Sequence, residues 1–231
     1  IPFRKLCIAT FLVFNSFQTI AAFSFFIIVH YLFLGDASAA SPWPTLHGSV
    51  GAIVTTFLVI PIVSKMAQKY GKKETFIISQ SISVIGYILF WFLFIPGKPY
   101  MFLFALPFFS FGIGGLFTLM MSMTADTCDY EELENGLPRK EGSFGAIYWW
   151  MVKLGTALAG LLSGLIMYYV GFSADASSQP EGALTGLRIA YSSIPIIGTL
   201  IAIYVMSDYE INEDRAAEIR SQLQERKGEI N

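Results

Sequence analysis

The sequence has few charged residues, and this shortage excludes most soluble folds. Only 14% of its 231 residues are Asp, Glu, Lys or Arg, against about 25% in an ordinary soluble domain. With two cysteines, Cys7 and Cys128, the chain also lacks the residues for a disulfide framework. The net charge of −2 gives no indication of a nucleic-acid or acidic partner. What remains is a strongly apolar chain with a mean hydropathy of +0.57.

The uncharged residues form long continuous runs, and the charges lie between them. Asp, Glu, Lys and Arg are absent from five runs, which are 6–35, 37–64, 75–97, 99–125 and 189–207. A sixth run, 142–174, contains Lys153 as its one charged residue before Asp175. A membrane-spanning helix needs about 20 mostly apolar residues. The sequence therefore predicts an all-α membrane protein with six transmembrane helices and multi-pass topology.

Lys and Arg residues are concentrated on one side of this predicted bundle. They lie before span one, between spans two and three, between spans four and five, and after span six, whereas Lys98 and Arg188 lie on the other side. The positive-inside rule then predicts that both termini are cytoplasmic. The predicted domains are a bundle over 1–207, with spans at about 6–34, 48–64, 75–95, 99–124, 143–171 and 189–206, and a cytoplasmic tail helix over 208–231.

The two ends of the chain suggest further expectations. The first apolar run is much longer than the apolar region of a signal peptide, which has about 7–15 residues. Because the chain begins at Ile1 rather than at methionine, one interpretation is a fragment of a longer protein. In the tail, Ala216, Ile219 and Leu223 form a narrow apolar stripe, which favours an amphipathic helix.

Prolines and small residues interrupt several spans. Pro61, Pro107 and Pro195 fall inside predicted spans two, four and six. They predict either kinked, closely packed helices or flexing points of a moving transporter. Span five carries the small-residue spacings Gly155-xxx-Ala159-xxx-Ser163 and Gly160-xxx-Gly164. Such spacing allows helices to approach closely, so we expect a packing role there.

Lys153 is the most informative residue of the sequence. It lies about ten residues into span five, which is about 15 Å deep at 1.5 Å per residue. A lysine near the bilayer midplane costs about 2.5 to 3.5 kcal/mol on insertion scales, and its ammonium group needs a partner or a watery cavity. The other five uncharged runs offer no carboxylate. We therefore favour a functional site, with a buried structural ion pair as the alternative.

Aromatic and polar residues near Lys153 indicate a binding cavity. Trp149 and Trp150 precede it at i−4 and i−3, next to Tyr148, and Thr156 follows. Aromatic rings stack on the apolar faces of sugars, while hydroxyl groups need polar partners such as Lys153 or Thr156. The alternative for the tryptophans is lipid-facing packing or an aromatic belt. Span one adds three polar residues that predict either interhelical hydrogen bonds or cavity lining: Asn15, Gln18 and Thr19.

The segment between spans four and five, 125–142, carries a dense group of charges. Asp126 and Asp129 stand at i and i+3, so that one helical face would present both carboxylates, and Arg139 and Glu141 follow. One interpretation is a solvated loop. The other is an ionic latch that closes against Lys72, Lys73 or a second bundle in one conformation of the protein.

This segment and the helix after it resemble one transporter family. The stretch ADTCDYEELENGLPRKEGSFGAIYWWMVKLG is similar to the corresponding part of the glycoside–pentoside–hexuronide:cation symporters, within the major facilitator superfamily. The residues that carry the resemblance are Asp126, Asp129, Tyr130, Glu132, Arg139, Glu141, Lys153 and Gly155. The basic stretch KYGKKETF between spans two and three resembles a loop signature of the same superfamily. The likeness corresponds to the C-terminal six-helix half of the family fold.

The resemblance implies a transporter that holds its substrate between two six-helix bundles. In the family, the lysine matching Lys153 faces the sugar and cation sites of the other half, and the positions matching Tyr148 and Trp149 line the sugar cavity. Those two positions hold larger aromatic side chains here than in the family's best-known member, which implies a different sugar specificity. The residues matching Asp126, Asp129 and Arg139 close the inward gate. The ligands of the coupling Na⁺ or H⁺ belong to the N-terminal half.

We therefore expect half of a cation-coupled symporter for a sugar or glycoside in a plasma membrane, by resemblance a bacterial inner membrane. Its expected partners are the lipid bilayer, the N-terminal half or a second copy of the chain, and a sugar. The expectation includes no catalytic residue, no metal ligand and no resident cofactor in this chain. The alternatives are a non-transporting scaffold or sensor, a lipid-carrying relative, and an intramembrane enzyme, for which no H-E-x-x-H or G-x-S-x-G motif is present.

Overall fold

The long apolar runs fold as helices, because in a bilayer each backbone polar group needs a partner within its own segment. A computed structural model of the chain describes residues 2–136, 138–173, 179–180 and 182–228. Six helices in this part are long and apolar enough to cross a membrane: α1 (Pro2–Leu32), α2 (Ala37–Tyr70), α3 (Lys72–Leu93), α4 (Pro99–Asn135), α5 (Glu141–Tyr169) and α6 (Ala183–Ser207). The tail helix α7 (Glu213–Gly228) follows. The described residues contain no strand, so the predicted fold class is confirmed.

Several helices extend beyond the predicted spans. Helix α4 continues eleven residues past position 124 because no helix breaker occurs before Gly136, which takes a left-handed conformation (φ 60°) and ends the helix. Helix α2 begins at Ala37 rather than at 48. Pro42 and Pro44 do not prevent this, since they fall in the first turn of the α-helical segment Pro42–Val54 within it, where proline is tolerated. The predicted loop 172–188 includes 174–178 and 181, which lie outside the described residues, as do Ile1 and the tail positions 229–231.

The three prolines have different structural consequences. Pro61 follows a π-helical segment, Thr55–Val59, because its missing N–H group leaves a carbonyl of the preceding turn without an α-helical partner. Pro107 lies inside α4, as expected, at the point where the 3₁₀ segment Pro99–Ala105 is followed by the α-helical part, whose first turn tolerates a proline. Pro195 does lie inside α6.

Helix α1 lies at the centre of the helix arrangement. It packs along α5 and α6 and also contacts α4, while α3 packs between α4 and α6, and α2 packs against α4. The buried residues form two apolar clusters, one towards each end of the bundle. One cluster lies at the end of the bundle that carries α7, here called the tail end, and contains residues of α7 itself. The other cluster lies at the opposite end and is rich in phenylalanine and tyrosine.

The tail helix α7 covers the tail end of the bundle. Ala216, Ile219 and Leu223 of the predicted stripe are all buried within the tail-end cluster. Arg226 donates a hydrogen bond to the carbonyl oxygen of Leu133 near the end of α4 (3.1 Å). An otherwise polar helix therefore docks through one narrow apolar face and places its arginines beside the end of α4.

Candidate functional site

Asp126 is the centre of an ion-pair cluster at the tail end. Its carboxylate, which is 9% exposed, contacts Nζ of Lys72 at 2.5 Å and a guanidinium nitrogen of Arg220 at 3.1 Å. Lys72 opens α3, Asp126 belongs to α4 and Arg220 to α7. One buried carboxylate thus holds three helices together. The predicted pairing of Asp126 with Lys72 is present in the structure, whereas the sequence analysis missed Arg220.

Asp129, one turn further along α4, belongs to a second ion-pair group. Arg139 pairs with Asp129 at 2.5 Å and with Glu141 at 2.7 Å. Burial by itself lowers the pKa of the Arg139 guanidinium, but the neighbouring carboxylates of Asp129 and Glu141 raise it above its ordinary value. Arg139 lies between the end of α4 and the start of α5, so the pairs connect the two helices. Both carboxylates of the i, i+3 pair lie on the helix rather than in a loop.

Lys73 is not part of either group. It is half-buried and forms no ion pair with a described carboxylate. Nearby, Lys5 at the start of α1 pairs with Asp208 and Glu210 after α6, at 2.9 Å in each case. The hydrogen bond from Lys5 is the largest cause of the lowered pKa of Asp208, and Lys73 makes a smaller contribution. Lys72 and Lys73 are adjacent in the sequence, but Lys72 pairs with Asp126, whereas Lys73 acts electrostatically on Asp208 without pairing with it.

Lys153 lies on a solvent- or lipid-exposed face of α5. Its side chain is exposed and makes no hydrogen bond or ion pair with any residue that the structure describes. Trp149 and Trp150 are also exposed, by 47% and 57%. Thr156 is exposed too, and its hydroxyl group donates a hydrogen bond to the Val152 carbonyl oxygen at 3.1 Å. These side chains are accessible on α5, and a partner for the lysine must come from outside the described residues.

Tyr148 lies on a different side of α5 from Lys153, which corrects the expected grouping of the two. Its side chain is 1% exposed and packs into the tail-end cluster, and its hydroxyl group has no hydrogen-bond partner. A spacing of five residues turns an α-helix by about 140° beyond one full turn. The aromatic triplet is therefore divided: Tyr148 packs inward against α1, while Trp149 and Trp150 remain available to a ligand.

Of the three polar residues expected on α1, Asn15 connects two helices, whereas Thr19 bonds within α1. The Asn15 side chain donates a hydrogen bond to the Gly155 carbonyl oxygen of α5 at 3.1 Å, and Thr19 donates to the Asn15 carbonyl oxygen at 2.9 Å. Gly155 makes this approach possible, because a Cβ there would lie 3.0 Å from the Phe11 carbonyl oxygen. Gln18 is half-buried and has no hydrogen-bond partner in the described part of the chain. Asn15 thus follows the interhelical alternative of the sequence analysis.

Two further features were missed by the sequence analysis. A cleft of about 670 Å³ lies between α1, α2 and α4, and His47 lines it. At the opposite end, the Arg188 guanidinium lies between the rings of Tyr31 and Trp91, 4.1 and 4.5 Å from their centroids, and donates a hydrogen bond to the Trp91 carbonyl oxygen. For the cleft, the signal available in the sequence was a histidine, His47, within an apolar run. The described residues contain no group of three or more His, Cys, Asp or Glu that could hold a metal ion.

Comparison with known proteins identifies relatives of this chain. A family model described as MFS/sugar transport protein matches residues 3–213. The chain is 28% identical to a glucuronide carrier protein homolog of Escherichia coli K12, over 98% of its own length and 48% of the relative's. It is 29% identical to a putative sulfoquinovose importer of the same organism, over 98% and 46%. An isoprimeverose transporter of Lactiplantibacillus pentosus is 25% identical over 71% and 34%. The chain spans about half the length of the first two.

Proposed function

The chain belongs to the MFS/sugar transport protein family, and from this premise we propose that it forms one six-helix half of a cation-coupled symporter for a sugar or glycoside. The relatives, whose names describe a glucuronide carrier, a sulfoquinovose importer and an isoprimeverose transporter, support a sugar or sugar derivative as the substrate. The matched share of the first two, about half, supports one half of a longer transporter as the part that this chain represents. The sequence resemblance described above is what favours the C-terminal half.

The observation that carries the proposal is Lys153, which is exposed and has no partner among the described residues. A lysine at this depth is energetically costly unless its ammonium group faces a carboxylate, such as one at a coupling-ion site, or a polar ligand. Its own helix adds two exposed tryptophans one turn away, and such rings can stack on the apolar face of a sugar. In the proposal, the second bundle faces this side of α5, and the substrate lies between the two bundles near Lys153.

The remaining parts of the proposal concern the partners and the gate. The second bundle is the N-terminal half of the same full-length protein or a second copy, and it supplies the ligands of the coupling Na⁺ or H⁺. The ion pairs of Asp126, Asp129 and Arg139 close the inward side, with both termini in the cytoplasm of a bacterial cell. Transport proceeds by alternating exposure of the central site to the two sides of the membrane, without a covalent step and without a resident cofactor.

Uptake by full-length protein in proteoliposomes tests the proposal. The tracers are radiolabelled methyl β-D-glucuronide, methyl β-D-glucoside and methyl β-D-xyloside, each with an inward Na⁺ or H⁺ gradient. We expect at least one tracer to accumulate when one of the gradients is present. We expect Lys153→Gln to lower this accumulation at least tenfold, since the uncharged amide cannot replace the ammonium charge in the central site.

Lys98→Gln is the matched control, because Lys98 is also exposed but lies in the turn between α3 and α4. This variant should accumulate the tracer like the wild type. Thermal unfolding of each purified variant checks that the protein is folded. Wild-type accumulation by a folded Lys153→Gln variant would contradict the central role of Lys153, and the absence of gradient-driven uptake of all three tracers would favour the non-transporting alternative.

A further inference from the structure

The tail-end half of α2 carries an exposed face that is apolar at one end and basic at the other. Leu58, Ile62, Lys65 and Lys69 follow one another at intervals of four, three and four residues, which places them on one side of the helix. Leu58 and Ile62 are 47% and 36% exposed, and both lysines are exposed as well. These four residues are here called the lysine face of α2. Its change from apolar to basic matches the change from hydrocarbon to headgroups at a membrane surface.

The lysine face points away from the rest of the bundle. Val63, on the opposite side of α2, is fully buried in the tail-end cluster, and Ala67 packs against the same cluster. At about 100° per residue, Lys65 and Lys69 each lie about 200° round the helix axis from Ala67. In the described part of the chain α2 packs against α4 and α3. No helix of that part covers the lysine face.

The side of α2 that borders the cleft is also opposite to the lysine face. Ile60 lines the cleft that α2 forms with α1 and α4. Within the α-helical segment Ile60–Tyr70, Lys65 and Lys69 lie about 140° and 180° round the axis from Ile60. A second bundle that covered the cleft would therefore meet the Ile60 side of α2, and the lysine face would stay in contact with lipid.

Neither lysine of this face has a counter-charge in the described part of the chain. The stretch 37–73 contains no Asp or Glu, and Nζ of Lys69 lies 5.0 Å from the centroid of the Tyr70 ring. In contrast, Lys72, which is three residues further on, pairs with Asp126. Like charges at i and i+4 on a helix repel each other. An anion between Lys65 and Lys69 would remove this repulsion.

The depth of these residues fits one kind of anion. Lys69 lies three residues before Lys72, whose ion pair with Asp126 belongs to the tail end. At 1.5 Å per residue, Lys65 lies about 6 Å nearer the middle of the membrane than Lys69, and Leu58 about 10 Å nearer than Lys65. The long stem of a lysine allows its ammonium group to reach the headgroup level. A phosphate at the lysines and acyl chains beside the aliphatic residues are parts of one glycerophospholipid.

We propose that the lysine face of α2 binds an anionic phospholipid of the leaflet at the tail end. Its phosphate lies between Lys65 and Lys69, and its acyl chains lie along Ile62 and Leu58. The lack of Asp and Glu in 37–73 favours an anionic headgroup over a zwitterionic one, because no carboxylate of this stretch can bind the amine of the headgroup. The inference rests on the membrane placement of α2, goes beyond the proposed transport function and is independent of the substrate that is carried.

Quenching by brominated lipids tests the inference on the full-length protein in vesicles. Ile62→Trp adds a fluorophore to the lysine face. Ile85→Trp is the matched control, because Ile85 is also an exposed isoleucine (49%) but lies on α3, about 20 Å along the helix from Lys72. Each variant is reconstituted in phosphatidylcholine in which a minor fraction of the lipid is dibrominated phosphatidylglycerol or, in a parallel sample, dibrominated phosphatidylcholine. The fluorescence of the added tryptophan is the difference from the wild-type protein.

The expected result is a preference for phosphatidylglycerol at position 62 and none at position 85. At position 62 we expect phosphatidylglycerol to quench about three times as strongly as phosphatidylcholine, since two lysines near a membrane surface favour an anionic lipid by about tenfold or more. At position 85 the two brominated lipids should quench equally. The comparison of two lipids at one position removes the effect of depth on quenching.

Neutralising the lysines supplies the second part of the test. In the Ile62→Trp protein, Lys65→Gln with Lys69→Gln should make the quenching by the two lipids equal, whereas Lys65→Arg with Lys69→Arg should keep the preference. Lys140→Gln with Arg215→Gln is the control for net charge. It removes two tail-end cations that already pair with glutamates, so the preference should persist.

Two kinds of result would overturn the inference. The first is equal quenching by the two lipids in Ile62→Trp, or a preference that survives Lys65→Gln with Lys69→Gln. The second is quenching by neither lipid at position 62 with normal quenching at position 85, which would show that a protein segment, such as an acidic part of the second bundle, covers the lysine face. Thermal unfolding checks each variant, and Leu58→Trp replaces Ile62→Trp if the latter does not fold. Gradient-driven uptake is measured separately, so a failure of the proposed transport function leaves this inference standing.

Discussion

Helices α4 and α5 are consecutive in the chain, yet they are embedded in the molecule to very different degrees. Both contain long apolar windows, with hydropathies of 1.9 and 1.5. In α4, 61% of that window is buried inside the structure, but in α5 only 17% is. Hydropathy alone therefore does not indicate which of two spanning helices is enclosed by its own bundle. The difference arises from what their glycines and charges contact.

The glycines of the two helices have opposite surroundings. In α4, a Cβ on Gly114 would lie 2.7 Å from Val59, and one on Gly115 would lie 2.7 Å from Ser79. In α5, a Cβ on Gly160 or Gly164 would meet nothing within 4 Å. The small-residue spacing of α5 was expected to pack helices. The structure shows such packing at Gly155, against α1, whereas the Gly160 and Gly164 ridge has no neighbour in the described part of the chain.

The charges of the two helices differ in the same way. Asp126 and Asp129 of α4 are neutralised by Lys72, Arg139 and Arg220 of this chain. Lys153 of α5 has no partner among the described residues. Helix α4 therefore completes the internal structure of the bundle, whereas α5 presents a face that needs a further packing partner and a counter-charge.

The largest expected effect comes from adding side chains to the two glycine ridges. Gly115→Leu should lower the free energy of unfolding by about 3 kcal/mol or more, because the new side chain must enter space occupied by Ser79. Gly164→Leu, the matched change on α5, should cost clearly less, since a Cβ there meets nothing within 4 Å in the described part of this bundle. Thermal unfolding of both full-length variants in detergent measures the difference. Equal losses would show that the two ridges are packed alike.

Removing one charge from each helix should give a smaller difference of the same kind. Asp126→Asn leaves Lys72 and Arg220 without a counter-charge, and we expect a loss of about 1–3 kcal/mol in the free energy of unfolding. Lys153→Leu removes a charge that has no partner in the described bundle and should not lower stability. Both can be measured by thermal unfolding in detergent. A Lys153→Leu variant that loses as much stability as Asp126→Asn would show that the lysine is paired as firmly as Asp126 and would remove the contrast between α4 and α5.

The smallest effect concerns local opening at the junction of α4 and α5. Cys128 is 2% exposed and precedes Asp129, the partner of Arg139. Neutralising Arg139 as Arg139→Gln should therefore increase the rate at which a membrane-permeant maleimide labels Cys128. Lys140→Gln is the control, because the Lys140–Glu131 contact is more exposed and longer, at 3.5 Å. An unchanged labelling rate in Arg139→Gln would count against a gate at this junction.

Features of the fold can be predicted from the sequence where a residue pattern can be accommodated in only one way. Uncharged runs of this length can only be helices in a bilayer, and a narrow stripe such as Ala216, Ile219 and Leu223 must be covered. The tail helix is indeed buried along that stripe. Lys153 was identified because its cost depends on depth, which is counted directly along the chain. The exposure of Lys153 agrees with this reasoning, while its role in transport stays a prediction.

Other features depend on contacts that spacing does not encode. Arg220 reaches Asp126 across 94 positions of the chain, so nothing local distinguishes it from Arg215 or Arg226. Tyr148 was grouped with Lys153 although the helical turn between them points their side chains in different directions. His47 acquires its setting from three phenylalanines on α3 and α4. Position 129 was placed beyond the end of span four, because charge, rather than a helix breaker, was taken as the end of the span.

The double pairing of Asp126 also has a consequence for the order in which the protein is assembled. Lys72 and Asp126 are both synthesised before α5 and α6, so this pair can form as soon as α3 and α4 have entered the membrane. Arg220 leaves the ribosome only after all six spans have been made. The docking of α7 therefore comes after membrane insertion, and a nascent bundle that lacks α7 exposes the apolar surface that Ile219 and Leu223 later cover.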